Sequence, residues 1–339
     1  MTGLRLTLIG FMTALTWSAA APSTAAELTP RQIYERAAPG VVLIIGHPQQ
    51  GEGGSGGTGS IIRKDGLVLT NAHVVIDEKT GKPYPRLSLY LKPDRVTGNP
   101  KTDLSRRVNA SVTAFNRQLD LALLKMEAAP APLPVLDLSD PDRVKIGERV
   151  VAIGHPEQGG LWTLTTGVVS AEFEDFSNTK GKHVFQTETG LNRGNSGGPL
   201  LDAQGRIIGV NTAIARLAAD GLPIMSISFA VKSSVARTWL REQAVLVDYA
   251  GVPPERPPVP AQAPQAPITP APEKPAVPPA QAPAAAAPTA PSPKTTPPPQ
   301  VHTEVRPYSL DEVIREAASE AERDLDQMMK NMRQKTKPK

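Results

Sequence analysis

Gly194-Asn195-Ser196-Gly197-Gly198-Pro199-Leu200 decides how this chain is read. Glycines around a serine suit a tight turn whose backbone N–H groups converge on one point, and a reacting serine needs such donors where negative charge develops. A serine hydroxyl is a poor nucleophile until a base takes its proton, and that base must be held in one tautomer by a buried carboxylate. Two upstream stretches supply both partners: Thr70-Asn71-Ala72-His73-Val74-Val75 and Asp120-Leu121-Ala122-Leu123-Leu124-Lys125. The pattern predicts His73, Asp120 and Ser196 as catalytic residues, and hence a serine protease. Gly, Asn and Ser are also ordinary surface-turn residues, so the serine stretch alone would decide little. Asp94 and Asp103 stay open as substitutes for Asp120. They sit in a polar segment broken by proline and glycine, whereas residues 121–124 predict a buried strand that carries Asp120 inward, where a carboxylate needs a donor such as the histidine ring.

The order His…Asp…Ser is that of chymotrypsin-like enzymes, unlike the orders found in α/β-hydrolases and subtilisins. The chain resembles the trypsin-like HtrA/DegP family of bacterial envelope proteases. Besides the three stretches above, the resemblance rests on Gly57-Thr58-Gly59-Ser60-Ile61-Ile62, Asp65-Gly66-Leu67-Val68-Leu69, Ala152-Ile153-Gly154-His155-Pro156, Thr166-Gly167-Val168-Val169-Ser170-Ala171 and Ser228-Phe229-Ala230. Several ordered motifs are more specific than any one of them. The resemblance spans roughly residues 28–245. The family usually adds one or two PDZ domains, and no PDZ-like segment is recognised in these residues.

That resemblance implies an all-β fold of two six-stranded antiparallel β-barrels, with His73 and Asp120 in the first, Ser196 in the second and the site in the cleft between them. It also implies an oxyanion hole at Gly194, Asn195 and Ser196, with the N–H groups of Gly194 and Ser196 as donors, and a substrate pocket lined by Gly190, Ile227, Ser228 and Phe229. Relatives that cut after Lys or Arg carry an aspartate six residues before the nucleophile. Gly190 stands there, so a small apolar P1 residue such as Val, Ala or Ile is expected. Digestive relatives carry an aspartate just before the serine, which pairs with a newly cut N-terminus. Asn195 cannot form that ion pair, and regulation by loop ordering is expected instead.

Short β-rich runs at 41–45, 61–69, 87–91, 108–115, 121–126, 149–153, 162–169, 184–187, 207–212 and 224–231, split by Gly, Pro and Asn turns, independently indicate a closed all-β architecture. Residues 27–36 predict a short helix with Thr29 as N-cap and Pro30 at its first position. Residues 51–59 are glycine-rich without a Gly-Lys-Ser/Thr ending, so a hairpin loop is expected there and a phosphate loop is not. His47, His155, His183 and His302 lack a comparable setting, and His155, in Gly-His-Pro, reads as a loop residue. No metal-ligand spacing occurs, and no cofactor is expected.

The 339 residues carry a net charge of +4 and no cysteine, which excludes disulfides, thiol nucleophiles and cysteine metal sites. No basic cluster with interleaved aromatics points to nucleic acid. Arg5, an apolar run to about Trp17 and small residues up to Ala26 read as a secretory signal, cleaved after Ala26 or Ala20; an uncleaved anchor is the alternative. The expected organisation is a signal peptide at 1–26, a trypsin-like protease domain at 27–250, a disordered Pro/Ala-rich linker at 251–304, and a C-terminal amphipathic helix with basic tail at 305–339. The linker contains more than half of the 36 prolines. Ser309-Leu310-Asp311-Glu312 matches a capping box, and Leu310, Ile314, Ala317, Ala321, Leu325, Met328 and Met332 recur at helical spacing.

Three functions follow from these observations. The first is a periplasmic or secreted endopeptidase acting on unfolded or partly folded envelope proteins. The others are a non-degradative holdase on a protease scaffold and a narrowly specific processing protease. In each, the C-terminal helix is a candidate for self-assembly or partner recruitment.

Overall fold

A computed structural model describes residues 27–49, 54–157, 159–214 and 227–251. The expected signal segment, the linker beyond Gly251 and the C-terminal helix lie outside the described residues. Strand β1 (Val41–His47) shows how the architecture arises, because all seven of its residues are buried. Side chains alternate across a strand, so such a run must meet apolar material on both faces. Val42 and Ile44 share a core with Ile61, Val68, Leu89 and Leu124. Val41, Leu43 and Ile45 join a second cluster with Val151, Ile153, Trp162 and Leu201 from the C-terminal half.

The first barrel contains β1, β2 (Ser55–Arg63), β3 (Leu67–Thr70), β4 (Arg86–Leu91), β5 (Arg107–Asn116) and β6 (Leu121–Met126), closed in the order β1-β2-β3-β6-β5-β4. The second contains β7 (Arg149–Gly154), β8 (Thr163–Phe173), β9 (Val184–Thr187), β10 (Pro199–Leu201), β11 (Ile207–Ile214) and β12 (Ser228–Lys232), closed in the order β10-β11-β12-β9-β8-β7. Its interior is filled by Val150, Ala152, Val169, Phe185, Leu200 and Ala230. The pairings are antiparallel. The all-β fold of two six-stranded antiparallel barrels is therefore as expected, and closure leaves no open sheet edge. Between the barrels, the indole N–H of Trp162 donates to the Val41 carbonyl at 2.8 Å. Trp162 is 1% exposed, so truncating it to alanine would cost about 3–5 kcal/mol.

Among the described residues, four α-helices accompany the barrels: α1 (Pro30–Ala37), α2 (Ala72–Val75), α3 (Pro100–Asp103) and α4 (Ser233–Glu242). Helix α1 starts as the sequence predicts, with Thr29 and Gln32 forming a reciprocal capping box and Ile33 and Ala37 buried. Helix α4 goes beyond the sequence reading, although Val235, Ala236, Trp239 and Leu240 give it one apolar face toward the inter-barrel cluster.

Other boundaries differ from the sequence reading for local reasons. The expected strand at 61–69 is two strands, divided by a turn that ends at Gly66 with φ of 87°. The expected hairpin loop at 51–59 is in part strand, since β2 begins at Ser55. Its glycines serve packing: a Cβ on Gly57 would stand 2.6 Å from Val74, and one on Gly59 2.7 Å from Val68. Trp162 lies outside β8 and adopts φ of 51°. Strand β10, only three residues long and opened by a proline, carries too little pattern to be read.

Candidate active site

His73 sits in α2, one turn of helix that begins as soon as β3 leaves the barrel. Its backbone N–H donates to Asp120 Oδ1 at 3.1 Å, and its ring Nδ1 lies 3.0 Å from Oδ1 and 2.9 Å from Oδ2. A carboxylate only accepts, so Nδ1 carries the ring proton and Nε2 is left as the basic nitrogen. The imidazole is 41% exposed and the carboxylate 14%. The two side chains are thus joined as a solvent-open ring against a mostly buried carboxylate.

Asp120 immediately precedes β6 with φ of 58°, a left-handed conformation that aspartate tolerates better than most residues. Its carbonyl is held by Asn71 Nδ2–H at 2.8 Å. Its Oδ2 accepts a further bond from the Thr212 hydroxyl, which comes from β11 in the other barrel. Burial raises the pKa of this carboxyl, but the hydrogen bond and charge of His73, with the Thr212 hydroxyl, outweigh it and hold the group below the usual carboxylate value. Asp103, one of the two substitutes, is also buried, yet its oxygens accept from Thr97 N–H, Thr97 Oγ1–H and Gly98 N–H within its own loop. Asp94 is exposed. Neither is engaged with His73 among the described contacts.

Ser196 lies in a turn pressed flat against the first barrel. A Cβ on Gly197, whose φ is 82°, would fall 2.0 Å from Thr70 Oγ1 and 2.2 Å from the Thr58 carbonyl, so both conformation and space require glycine. Ser196, Gly194 and His73 line one groove of about 1040 Å³, together with Gly54, Gly56 and Tyr84. Ser196 Oγ makes no hydrogen bond among the described residues, and such bonds are often loose in free enzymes and tighten with substrate.

The N–H groups of this turn divide clearly. Asn195 N–H donates to Asn192 O, Gly197 N–H to Asn211 O and Gly198 N–H to Asn195 O. Those of Gly194 and Ser196 have no protein acceptor among the described residues. They are the pair named from sequence as oxyanion donors. Asn195, the third residue of the expected hole, has its main-chain N–H bonded to Asn192 O.

Of the expected pocket residues, Gly190 is exposed and a Cβ there would meet nothing within 4 Å. Ser228 is buried and donates to the Thr189 carbonyl at 3.1 Å. Ile227 stands next to it, just before β12. The ring of Phe229 packs against those of Phe176 and Phe173, with centroids at 4.6 and 6.2 Å. Among the described residues no three His, Asp or Glu side chains gather as a metal site. Sequence reasoning missed Asn71, Thr212, Thr58 and His155. Asn71 had a signal, a polar residue inside an apolar run next to His73; Thr212 had none. His155 is a loop residue as expected, but it is buried.

Residues 57–210 match the family of trypsin-like peptidase domains. Within the solved structures, the fold is similar to that of an HtrA-type protease, AlgW with a tripeptide, with a TM-score of 0.52 and 28% identity over 64% of each chain. The described domain is thus similar to HtrA-type trypsin-like peptidase domains. It is also 37% identical over 189 residues to a probable periplasmic serine endoprotease DegP-like of Marinomonas sp. (strain MWYL1), a match covering 56% of this chain and 35% of that protein. It is 34% identical over 198 residues to the periplasmic pH-dependent serine endoprotease DegQ of Escherichia coli (strain K12), covering 58% of this chain and 38% of the relative. The match thus spans little more than a third of the length of these relatives.

Proposed function

We propose that this chain is a serine endopeptidase of the bacterial envelope, cutting peptide bonds through His73, Asp120 and Ser196. The observation that carries this reading is the division of the serine turn, in which, among the described residues, the N–H groups of Gly194 and Ser196 have no acceptor, beside a serine that shares a groove with a carboxylate-held histidine. In the proposed reaction Ser196 Oγ attacks the scissile carbonyl while His73 Nε2 takes its proton. The oxyanion is met by the two free N–H groups. Collapse breaks the C–N bond, and the departing amine takes the proton from His73. Water then attacks the acyl-serine in the same way and frees the acid. Asp120 stays ionised throughout and stabilises the imidazolium.

Gly190 leaves no fixed charge at the expected pocket base, and this supports an apolar P1 side chain, with the small residues implied by the family resemblance. Unfolded or partly folded envelope proteins are the proposed substrates, in quality control of the envelope, and the names of the periplasmic relatives support that compartment. Removal of residues 1–26, read by the mass of the mature protein, would accompany export. Self-assembly or partner capture through residues 305–339 is proposed from their apolar repeat alone. A fluorophosphonate probe decides the activity. Labelling of the wild type and not of Ser196→Ala is expected, together with casein-type hydrolysis. A folded wild type that neither labels nor cleaves would overturn the enzyme reading in favour of a holdase.

A further inference from the structure

The carbonyl groups of the nucleophile turn are anchored one after another. Arg193 O accepts from Glu157 N–H at 2.6 Å, Asn195 O from Gly198 N–H at 3.1 Å and Ser196 O from Thr58 N–H at 2.8 Å. Gly194 O accepts from a side chain, the Thr58 hydroxyl, at 2.6 Å. Peptide units are planar and trans, so fixing a carbonyl fixes the direction of the N–H on the same unit. The free donors at Gly194 and Ser196 belong to the units whose oxygens are Arg193 O and Asn195 O. The unit between them is the one the Thr58 hydroxyl holds.

Behind Thr58 stands His155, with Nδ1 2.9 Å from Oγ1. A hydroxyl has one proton, and here it goes to Gly194 O, so Nδ1 must be the donor to Oγ1. The imidazole is 1% exposed, meets the Trp162 ring edge-on at 4.8 Å between centroids, and its Nε2 has no hydrogen-bond partner among the described residues. Burial alone pushes its pKa down to about 3, and no charged neighbour contributes. Thr58 is itself wholly buried, and its carbonyl accepts from Thr70 Oγ1 at 2.7 Å. Buried polar groups are costly unless paired, and here the Thr58 hydroxyl and carbonyl, His155 Nδ1 and the Gly194 carbonyl all have partners.

We infer that Thr58 and His155 are positioning residues of the oxyanion turn: His155 Nδ1–H orients the Thr58 hydroxyl, which holds the Gly194 carbonyl so that the two flanking N–H groups face one point. Thr58 belongs to the first barrel and His155 to the second, so the relay also sets the turn relative to both. Neither side chain touches substrate. The loop Gly154–Glu157 thereby braces the turn twice, through the His155 ring and through Glu157 N–H.

The inference rests on the serine endopeptidase reading, and the full-length chain tests the two separately. Wild-type hydrolysis and probe labelling test the reading. The relay is tested by kcat and KM on one peptide substrate, and by the affinity of a peptide boronate that forms a tetrahedral serine adduct, for Thr58→Val, Thr58→Ser, His155→Leu and His155→Asn. Loss of the hydroxyl in Thr58→Val is expected to lower kcat about 10- to 100-fold with KM changed less than about twofold, since only the transition state meets the oxyanion donors. Boronate affinity should fall in parallel. Thr58→Ser keeps the donor, and in His155→Asn the amide takes the place of Nδ1–H; both should recover most of the loss, while His155→Leu should not. The double variant Thr58→Val/His155→Leu should be little worse than Thr58→Val, because the relay acts through one hydroxyl. If Thr58→Val fails to fold, the His155 pair decides alone. Active wild type with Thr58→Val and His155→Leu near its kcat, or equal losses in His155→Asn and His155→Leu, would overturn the inference and leave the endopeptidase reading intact.

Discussion

Lowering the pH from about 7.5 to about 5 tests whether the folded chain holds His155 neutral. Its ordinary value is 6.5 and burial lowers this to about 3. Because the folded value is the depressed one, the unfolded chain binds the extra proton between these limits, and stability falls as pH drops through that window. At pH 5 the linkage amounts to about 2 kcal/mol for this single ring. His47 is buried beside Arg86 and Arg107, and its value falls from 6.5 to about 4, mainly by burial, so it contributes with the same sign. Asp120 does not interfere, since its carboxyl has an ordinary value of 3.8 and a lower one in the fold, both below the measured range of about pH 5 to 7.5. The informative quantity is therefore the difference between wild type and His155→Asn. Urea unfolding followed by tryptophan fluorescence at both pH values should show wild type losing about 2 kcal/mol more than the variant, which keeps His47 but cannot titrate at 155. Equal losses, within about 0.5 kcal/mol of each other, would refute a dry, neutral His155.

Ser196→Ala, His73→Ala and Asp120→Ala should each lower kcat by at least about 10³-fold, and Ser196→Ala/His73→Ala should be little worse than either alone, because the residues act as one proton-transfer unit; stopped peptide assays on folded protein check this. Thr212→Val removes a donor to the ionised Asp120, and kcat should fall up to about tenfold, as expected for a hydrogen bond to a charged group only partly expressed in the transition state. Gly197→Ala meets Thr70 Oγ1 and the Thr58 carbonyl and should yield no labelled enzyme. Gly181→Ala, also at positive φ but with nothing within 4 Å, should cost only about 1–2 kcal/mol in a thermal melt and keep activity. Gly190→Asp should shift P1 preference toward Lys and Arg in a peptide library. A basic preference already present in wild type would contradict the assignment of this pocket.

The barrels were legible because both periodic signals, burial on every residue in β1 and turn residues between short apolar runs, act locally along the chain. The pairing of His73 with Asp120 was legible because each sits in a stretch whose neighbours are constrained as well. Asn71 holds Asp120 O, and Gly197 fits a space with no room for a side chain. What escaped the sequence are contacts made across the interface. Thr212 reaches Asp120 from 92 positions away and His155 reaches Thr58 from 97, and nothing in their own neighbourhoods marks them. The glycine-rich run around Thr58 misleads in the opposite sense. Glycine there signals the approach of Val74 and Val68 to the backbone, and composition alone cannot separate that from a turn.

Asp120 is held by His73 from its own barrel and by Thr212 from the other, and the nucleophile turn leans on Thr58 across the same seam. Under the proposed endopeptidase reading, a nascent chain that has closed only its first barrel would carry His73 and Asp120 without an assembled serine turn. Refolding experiments can read this order directly. Capture of a fluorophosphonate should lag behind the fluorescence change that reports Trp162 entering the seam, and labelling that runs ahead of it would show that half a domain suffices.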